Sequence, residues 1–270
     1  MTWITPQVSN TAPDGTSYDL TGPENAPVVV LIHGLGLCRD VFAGILGAFA
    51  GYRVLSYDLY GHGQSAPANQ TTTLTTYSDQ LAGLLTHLDI PSAHIIGFSI
   101  GGMINRRFAL DHAAMVLSLV ILNSPHDRGD VAQAQVEGRA ISARDKGAFA
   151  TFGAALQRWF TPDHLENGAG PVLVRRWREM VDDDSYAQAS WVLANGVVEL
   201  IGRDGEITKP TLVITCENDP GSTPAMSRDI ASEIAGSELL IVPHLKHLGL
   251  MEMPKAFTTP ILNFIERVKP

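Results

Sequence analysis

The stretch Gly97-Phe98-Ser99-Ile100-Gly101 decides the fold of this chain through what stands on either side of it. Residues 94–98 form a short apolar run typical of a buried strand, and a helical pattern follows to about residue 110. A serine between two glycines at such a strand-to-helix turn sits on a sharp bend that exposes its hydroxyl group. The pattern predicts that Ser99 is a nucleophile. The alternative is an ordinary glycine-rich turn between a strand and a helix, which can have the same sequence.

Short apolar segments that alternate with helical patterns surround this turn. The segments typical of strands are residues 27–32, 52–57, 94–98, 117–123, 211–215 and 238–243. Helices are predicted over residues 41–49, 74–88, about 100–110 and about 255–268, with Thr73 or Thr75 as the cap of the second. Alternation of this kind predicts parallel βαβ units, and hence an α/β fold with a mostly parallel, doubly wound sheet.

The alternation stops between residues 126 and 203, where the chain becomes polar and helical. Aromatic residues are interspersed there, and no segment has the composition of a buried strand. We expect residues 126–203 to form a helical lid inserted into an α/β core made of residues 1–125 and 204–270.

A base and an acid follow the serine at the ends of two predicted strands. A serine hydroxyl is a weak nucleophile, so it needs a base within reach and a third group that orients the base. Asp219 follows the strand at 211–215, and His247 follows the strand at 238–243. The chain order Ser99, Asp219, His247 is the one expected for a triad on this kind of sheet.

Other residues compete for the same roles. Glu217 stands two residues before Asp219, Asp127 follows the strand at 117–123, and His244 stands three residues before His247. Asp219 itself could cap a helix. The sequence favours Asp219 as the acid and His247 as the base, with these alternatives open.

Attack on an ester carbonyl creates an oxyanion, which backbone N–H groups can stabilise. Ile100, directly after the nucleophile, is one predicted donor. The loop His33-Gly34-Leu35-Gly36 follows the first predicted strand, and Leu35 is the second predicted donor. We interpret His33 as a structural histidine of this loop.

Composition and charge argue against several classes of protein. The chain has 19 Lys and Arg against 28 Asp and Glu, a formal charge of −9, and no basic run, so a nucleic-acid partner is not expected. No segment approaches the roughly 18–20 apolar residues of a membrane helix, and residues 1–10 lack the pattern of a secretory leader. We expect a cytoplasmic protein without a membrane partner.

The sequence also lacks the common motifs for cofactor and metal binding. The nine histidines fall into no zinc-ligand spacing, and neither a Walker lysine nor a G-x-G-x-x-G motif follows the first strand. We therefore expect no metal and no organic cofactor. Cys38 and Cys216 form no C-x-x-C motif and predict no disulfide. The sequence gives no indication of the oligomeric state.

Four separated motifs resemble the α/β-hydrolase family, in particular 3-oxoadipate enol-lactonases and related small esterases. They are HGLG at 33–36, DLYGHGQS at 58–65, GFSIGG at 97–102, and END at 217–219 followed by HLGLMEMP at 247–254. The resemblance covers nearly the whole chain and implies an α/β-hydrolase fold with His247 as base. It also implies substrate contacts from Arg158, Trp159 and Phe160, which are similar to an R-W-F stretch of enol-lactonases.

This chain departs from the enol-lactonase pattern at three places. It has Tyr60-Gly61-His62-Gly63 where those lactonases usually read R-G-H-G, Cys216 where glycine is common, and HGLG in place of H-S-L-G. The resemblance therefore implies a small-molecule ester or lactone as substrate, with 3-oxoadipate enol-lactone as one candidate.

The sequence predicts a serine hydrolase that cleaves a small carboxylic ester or lactone through an acyl-enzyme on Ser99. The alternatives are a C–C bond hydrolase of a ring-cleavage product and a non-catalytic ligand-binding member of the fold. Serine at position 99 argues against dehalogenases and epoxide hydrolases, which resemble this fold with an aspartate nucleophile. If the substrate is anionic, the arginines that could bind it are Arg139, Arg144, Arg158, Arg175 and Arg176.

Overall fold

An eight-stranded sheet forms the centre of the computed structural model, which describes residues 10–268. The strands are β1 (Asn10–Thr11), β2 (Ser17–Thr21), β3 (Val28–Ile32), β4 (Arg53–Tyr57), β5 (Ala93–Phe98), β6 (Val116–Leu122), β7 (Thr211–Cys216) and β8 (Glu238–Val242). Their order in the sheet is β1-β2-β4-β3-β5-β6-β7-β8. Strands β3 to β8 pair in parallel, whereas β1 and β2 are antiparallel to their neighbours.

All six strands expected from the sequence are present, each within two residues of its predicted ends. The apolar pattern does not reveal the two antiparallel strands at the amino end. β1 has two residues, and the last residue of β2 is exposed, so neither forms a continuous apolar run. β2 is held in the sheet by its pairing with β4, where Tyr18 is opposite Tyr57, and the local sequence does not show this pairing.

Helices cover both faces of the sheet. Outside the segment between β6 and β7 they are α1 (Ala43–Leu46), α2 (Leu74–His87), α3 (Ile100–Asp111), α9 (Pro224–Glu233), α10 (Gly249–Glu252) and α11 (Pro254–Arg267). Thr73 caps α2 through a capping box in which Thr73 and Thr76 exchange hydrogen bonds of 3.1 Å. The helix predicted over 41–49 is only a four-residue α-helix between two 3-10 turns, and Gly44 and Gly47 weaken helix formation there.

The two large apolar clusters of the core lie one on each face of the sheet. Val30 and Ile95 point to the face covered by α2 and α3. Their neighbours Val29 and Ile96 point to the opposite face, where Phe257 of α11 packs. Because β3 and β5 are buried on both faces, neither sequence shows the alternation of apolar and polar residues that a half-exposed strand has.

The chain between β6 and β7 is helical. It contains α4 (Gly129–Lys146), α5 (Phe152–Trp159), α6 (Pro162–Asn167), α7 (Gly170–Glu179), α8 (Asp183–Asn195) and a 3-10 turn at Gly196–Glu199. The division of the protein into a lid of residues 126–203 and a core of residues 1–125 and 204–270 stays a prediction, and we call residues 126–203 the helical segment.

The helices and the metal-ligating side chains of residues 10–268 bear on membrane and metal binding. No helix in this part of the chain is both long and apolar enough to cross a membrane. The same residues hold no group of three or more His, Cys, Asp and Glu side chains arranged around a metal ion. Cys38 and Cys216 are buried free thiols.

Candidate active site

Ser99 occupies a strained turn between β5 and α3. Its φ is +58° and its ψ is −115°, a region that residues other than glycine rarely adopt. Hydrogen bonds hold the turn: the Ser99 N–H donates to Leu122 O at 2.8 Å, and the Gly102 N–H donates to Ser99 O at 2.9 Å. The surrounding backbone thus fixes the serine at the carboxyl end of β5.

The glycines on either side of Ser99 are required by close backbone contacts. A Cβ atom on Gly97 would lie 2.1 Å from Gly101 O, and one on Gly101 would lie 2.3 Å from Ile32 O. Real Cβ atoms essentially never come within 3.0 Å of such atoms. The two glycines therefore let α3 begin directly against β3 and β5, which makes the sharp turn possible.

His247 and Asp219 form a buried pair. The Nδ1 atom of His247 lies 2.6 Å from Oδ2 of Asp219, and the Asp219 side chain is 0% exposed. An ionised carboxylate is only an acceptor, so opposite an ionised Asp219 the hydrogen lies on Nδ1 and Nε2 is the basic atom of the ring. This is the tautomer that a serine nucleophile requires of its base.

The Asp219 carboxylate is fully supplied with hydrogen-bond donors. Its Oδ1 accepts the N–H groups of Gly221 at 2.9 Å and Ser222 at 3.0 Å. Its Oδ2 accepts the Asn123 side-chain amide at 2.8 Å in addition to His247. A buried carboxylate with this many donors keeps one orientation.

The competing acids and base lie elsewhere. His244 is 90% exposed, and its N–H donates to Glu217 at 2.8 Å. Asp127 is exposed and accepts the Gly129 N–H at 2.9 Å. Glu217, His244 and Asp127 are absent from the lining of the cavity that contains Ser99, Asp219 and His247.

One cavity brings the predicted site residues together. Its wall includes Leu35, Ser99, Asp219 and His247 from the sheet region, and Trp159 from the helical segment. The His247 ring lies between two aromatic rings, with centroid distances of 4.9 Å to Phe98 and 6.1 Å to Trp159. The cavity is therefore bounded on one side by the sheet edge and on the other by helices of the helical segment.

The two predicted oxyanion donors differ in their relation to this cavity: Ile100 is not part of its lining but directly follows Ser99, which is. Leu35 is part of the cavity wall. Ile100 is the first residue of α3, so its N–H has no acceptor within the helix. Its position directly after Ser99 leaves this N–H available at the positive end of the helix dipole.

His33 is a structural residue, as interpreted from the sequence. Its ring is buried, its Nδ1 donates to Gly34 O at 2.8 Å, and its Nε2 accepts the Leu59 N–H at 2.9 Å. Burial lowers the pKa of His33 to about 4, so the ring is neutral. Both nitrogens are occupied by backbone groups and none is left for chemistry.

The three residues predicted to contact substrate separate in the structure. Arg158 and Trp159 line the cavity, but Phe160 does not. The Phe160 ring is fully buried and stacks on His164 at 5.1 Å with an angle of 19°. The prediction for Phe160 is corrected accordingly: the chain leaves α5 at Trp159, and the next side chain packs into the core.

Arginines of the helical segment also separate into two groups. Arg139 and Arg158 line the cavity, together with Arg128, which the sequence analysis missed. Arg144, Arg175 and Arg176 are exposed and lie outside the lining. No local pattern distinguishes the first group from the second, because all of these arginines stand in or beside polar helical stretches.

Arg178 is a second residue that sequence reasoning missed. It is 1% exposed, and its Nη1 donates to Ala148 O at 2.7 Å and to the Tyr186 hydroxyl at 2.8 Å. Its Nε donates to Gly36 O at 3.3 Å. Arg178 therefore connects the helical segment to the loop that carries Leu35.

A family described as alpha/beta hydrolase fold matches residues 27–254 of this chain. That span is well over half of the 270 residues. The chain is an α/β hydrolase. The predicted fold class and the resemblance stated from the four motifs are thereby confirmed.

The α/β hydrolase has relatives that match it over more than nine tenths of its length. It is 27% identical over 263 residues to the (E)-2-((N-methylformamido)methylene)succinate hydrolase of Acinetobacter baylyi, with 96% of this chain and 97% of the relative covered. It is 25% identical over 258 residues to 3-oxoadipate enol-lactonase 1 of the same organism, with 94% of each chain covered. The enol-lactonase from Burkholderia xenovorans superposes with a TM-score of 0.83 at 31% identity, covering 94% of this chain and 98% of that chain.

Proposed function

We propose that this α/β hydrolase cleaves a small carboxylic ester or lactone, with Ser99 as nucleophile, His247 as general base and Asp219 as the group that orients His247. One observation carries the proposal: the strained Ser99 and the buried His247–Asp219 pair line the same cavity. Strain of this kind persists where the surrounding structure holds it and is concentrated at functional sites.

The reaction begins with attack of the Ser99 hydroxyl on the ester carbonyl carbon. His247 Nε2 takes the proton, and the imidazolium that forms is stabilised by Asp219. The N–H groups of Ile100 and Leu35 stabilise the oxyanion of the tetrahedral intermediate, a contribution of about 3 kcal/mol for one such donor. The intermediate collapses to an acyl-enzyme as the alcohol oxygen leaves with the proton from His247.

Water then completes the cycle. His247 takes a proton from a water molecule, which attacks the acyl-enzyme carbonyl, and the second tetrahedral intermediate collapses to release the carboxylic acid and regenerate the Ser99 hydroxyl. In a lactone the alcohol and the acid belong to one molecule, so the ring opens and a single hydroxy acid leaves. From an enol-lactone the product is an enol acid, which converts to its keto tautomer. We propose 3-oxoadipate enol-lactone as one substrate to examine, because enol-lactonases are among the relatives.

The decisive experiment compares wild type with Ser99→Ala on p-nitrophenyl esters, simple lactones, 3-oxoadipate enol-lactone and a ring-cleavage dienoate. Ser99→Ala is expected to lower kcat by roughly a thousandfold or more, because the acyl-enzyme can no longer form. A fluorophosphonate, which loses fluoride as it bonds to an activated serine oxygen, is expected to label wild type at Ser99.

Ser190 is the matched control, because it also lines the cavity. Ser190→Ala is expected to react with the fluorophosphonate at Ser99 as wild type does. Label on Ser190, or substantial turnover by Ser99→Ala, would show that the nucleophile is another residue. Turnover confined to the dienoate would favour C–C bond hydrolysis, and turnover of none of these compounds would favour a ligand-binding protein.

A further inference from the structure

Three cationic side chains of the helical segment face the cavity that contains Ser99. Arg128, Arg139 and Arg158 all line it, and each is only partly exposed. Burial lowers the pKa of Arg128 to about 10. Burial also lowers the pKa of Arg139, and the charge of Arg158 lowers it further. The three guanidinium groups stay charged near neutral pH. Burying an unpaired charge costs free energy, and a bound anion would reduce that cost.

Among residues 10–268, Asp219 is the only acidic residue in the cavity lining. Its carboxylate already accepts four hydrogen bonds from other groups, so it is not available to pair with the three arginines. Within residues 10–268, the guanidinium groups of Arg139 and Arg158 take part in no hydrogen bond or ion pair. A protein with 28 acidic and 19 basic residues thus has an electropositive pocket in an acidic molecule.

Arg128 differs from the other two, because main-chain carbonyls already hold it. Its Nη2 donates to Leu193 O at 2.8 Å, and its Nη1 donates to Ala194 O at 3.3 Å. Arg128 adds positive potential to the cavity wall, whereas Arg139 and Arg158 have donors that a ligand can use. Arginine donors in pairs fit a carboxylate, which accepts two parallel hydrogen bonds.

The backbone on both sides of Arg158 is hydrogen-bonded to the two neighbours of His247, the proposed base. On its two sides, Gln157 O accepts the Lys246 Nζ at 2.8 Å and Trp159 O accepts the Leu248 N–H at 2.9 Å. Lys246 and Leu248 are the two neighbours of His247. These hydrogen bonds fix the end of α5 against the loop of His247, so the position of the Arg158 side chain relative to the reacting bond is set by the fold.

We infer that the substrate is an anion: an ester or lactone that carries a carboxylate group, bound between Arg139 and Arg158. The inference rests on the proposed function of the same cavity and adds the charge class of the substrate. The carboxylate neutralises the two guanidinium groups and fixes which end of the substrate faces the helical segment. The ester carbonyl is thereby directed to Ser99.

The test compares two esters that differ at the end of the acyl chain, which is a carboxylate in one and a methyl group in the other. Mono-4-nitrophenyl glutarate and 4-nitrophenyl pentanoate have the same leaving group and the same acyl chain length, and the enzyme-free rate is subtracted from each. The readout is the ratio of kcat/KM for the anionic ester to that for the neutral ester. Wild type is expected to prefer the anionic ester by about tenfold or more, the effect of one charged hydrogen bond.

Arg139→Gln and Arg158→Gln are each expected to reduce this ratio by about tenfold, since each removes one charged donor pair. Neither is expected to lower the Tm, because among residues 10–268 neither guanidinium group has a hydrogen bond or an ion pair to lose. Arg176→Gln is the matched control: Arg176 belongs to α7, is exposed and lies outside the cavity, so the ratio is expected to stay at the wild-type value. An unchanged ratio in both Arg139→Gln and Arg158→Gln, with turnover that still requires Ser99, would overturn the inference and leave the proposed function standing.

A binding measurement covers the case in which neither ester is hydrolysed. Calorimetric titration of glutarate into wild type and Ser99→Ala is expected to show binding that weakens by about tenfold in Arg139→Gln and in Arg158→Gln. Loss of ester turnover together with this binding pattern would overturn the proposed function and retain the anion site. Glutarate binding that is absent, or equal in all four proteins, would overturn the anion site.

Discussion

The side-chain amide of Asn123 donates a hydrogen bond of 2.8 Å to Oδ2 of Asp219, the same oxygen that lies 2.6 Å from Nδ1 of His247. Asn123 directly follows β6, and its φ of +45° lies in the left-handed region that asparagine tolerates better than most residues. Its amide also lies 3.4 Å from the hydroxyl of Thr215 in β7. Asn123 thus connects the ends of two neighbouring strands and limits rotation of the Asp219 carboxylate.

Asn123→Ala is expected to lower kcat by about tenfold, because a hydrogen bond to a charged group contributes about 1.5–3 kcal/mol. KM is expected to change little, since Asn123 is not part of the cavity lining. Steady-state kinetics on a p-nitrophenyl ester measure both constants. Asn123→Gly is the matched variant, because it also lacks the amide but accepts the positive φ without strain. Wild-type kcat in Asn123→Gly would show that the backbone conformation, not the amide, is what matters.

The role of Asn123 shows which parts of the candidate site can be predicted from the sequence. The turn around Ser99 is local: the glycines, the serine and the flanking strand and helix are consecutive in sequence. Asn123 acts through Asp219, 96 positions later, and only the pairing of β6 with β7 brings them together. A residue whose role depends on the order of strands in the sheet has no local signature.

The helical segment was less predictable than the sheet for a similar reason. Helical character could be predicted, since no segment of residues 126–203 has the composition of a buried strand. The direction of each side chain could not be predicted. Trp159 and Phe160 are neighbours in sequence, yet Trp159 lines the cavity and Phe160 is buried in the core. The end of α5, fixed by contacts with the His247 loop, decides between them.

Paired substitutions test the assignment of the acid and the base. His247→Ala and Asp219→Asn are expected to lower kcat by roughly 10³–10⁴-fold, because both disturb the proton transfer from Ser99. His244→Ala and Glu217→Gln are the matched controls, since these residues contact each other at the surface and stay outside the cavity. Steady-state turnover of a p-nitrophenyl ester measures all four variants. A large loss in a control variant with activity retained in its partner would reassign the role.

Arg178 offers a test of how the loop of Leu35 is held. Its guanidinium lies 4.3 Å from the centroid of the Tyr186 ring and donates to Gly36 O, one residue after the proposed oxyanion donor. Arg178→Lys is expected to lower kcat by about tenfold and to reduce stability by about 1–3 kcal/mol, because an ammonium cannot reach acceptors in the guanidinium plane. Arg176→Lys on the same helix is the control, as its side chain is exposed.

Kinetics and denaturant unfolding of the same two variants separate the possible roles of Arg178. Reduced stability with wild-type kcat would mean that Arg178 only supports the helical segment. Reduced kcat for both a neutral and an anionic ester is the expected outcome, because an oxyanion donor acts on the carbonyl whatever the charge of the acyl chain.

The buried ring of His94 gives the protein a specific sensitivity to acid. His94 lies on β5, its Nδ1 is 2.8 Å from the Ser118 hydroxyl, and burial lowers its pKa from 6.5 to about 4. The unfolded chain therefore binds a proton between these two pKa values while the folded protein does not, so stability present above pH 6.5 is lost as the pH falls toward 4.

Replacement of His94 by glutamine keeps a group that can hydrogen-bond Ser118 and removes the titrating ring. At about pH 8 the wild type is expected to be the more stable of the two, since His94 fits its site. Between about pH 8 and about pH 5 the wild type is expected to lose about 1–2 kcal/mol relative to His94→Gln, the free energy of protonating the unfolded histidine. Urea denaturation across this range measures the difference, and parallel stability curves for the two proteins would show that His94 titrates alike in the folded and unfolded states.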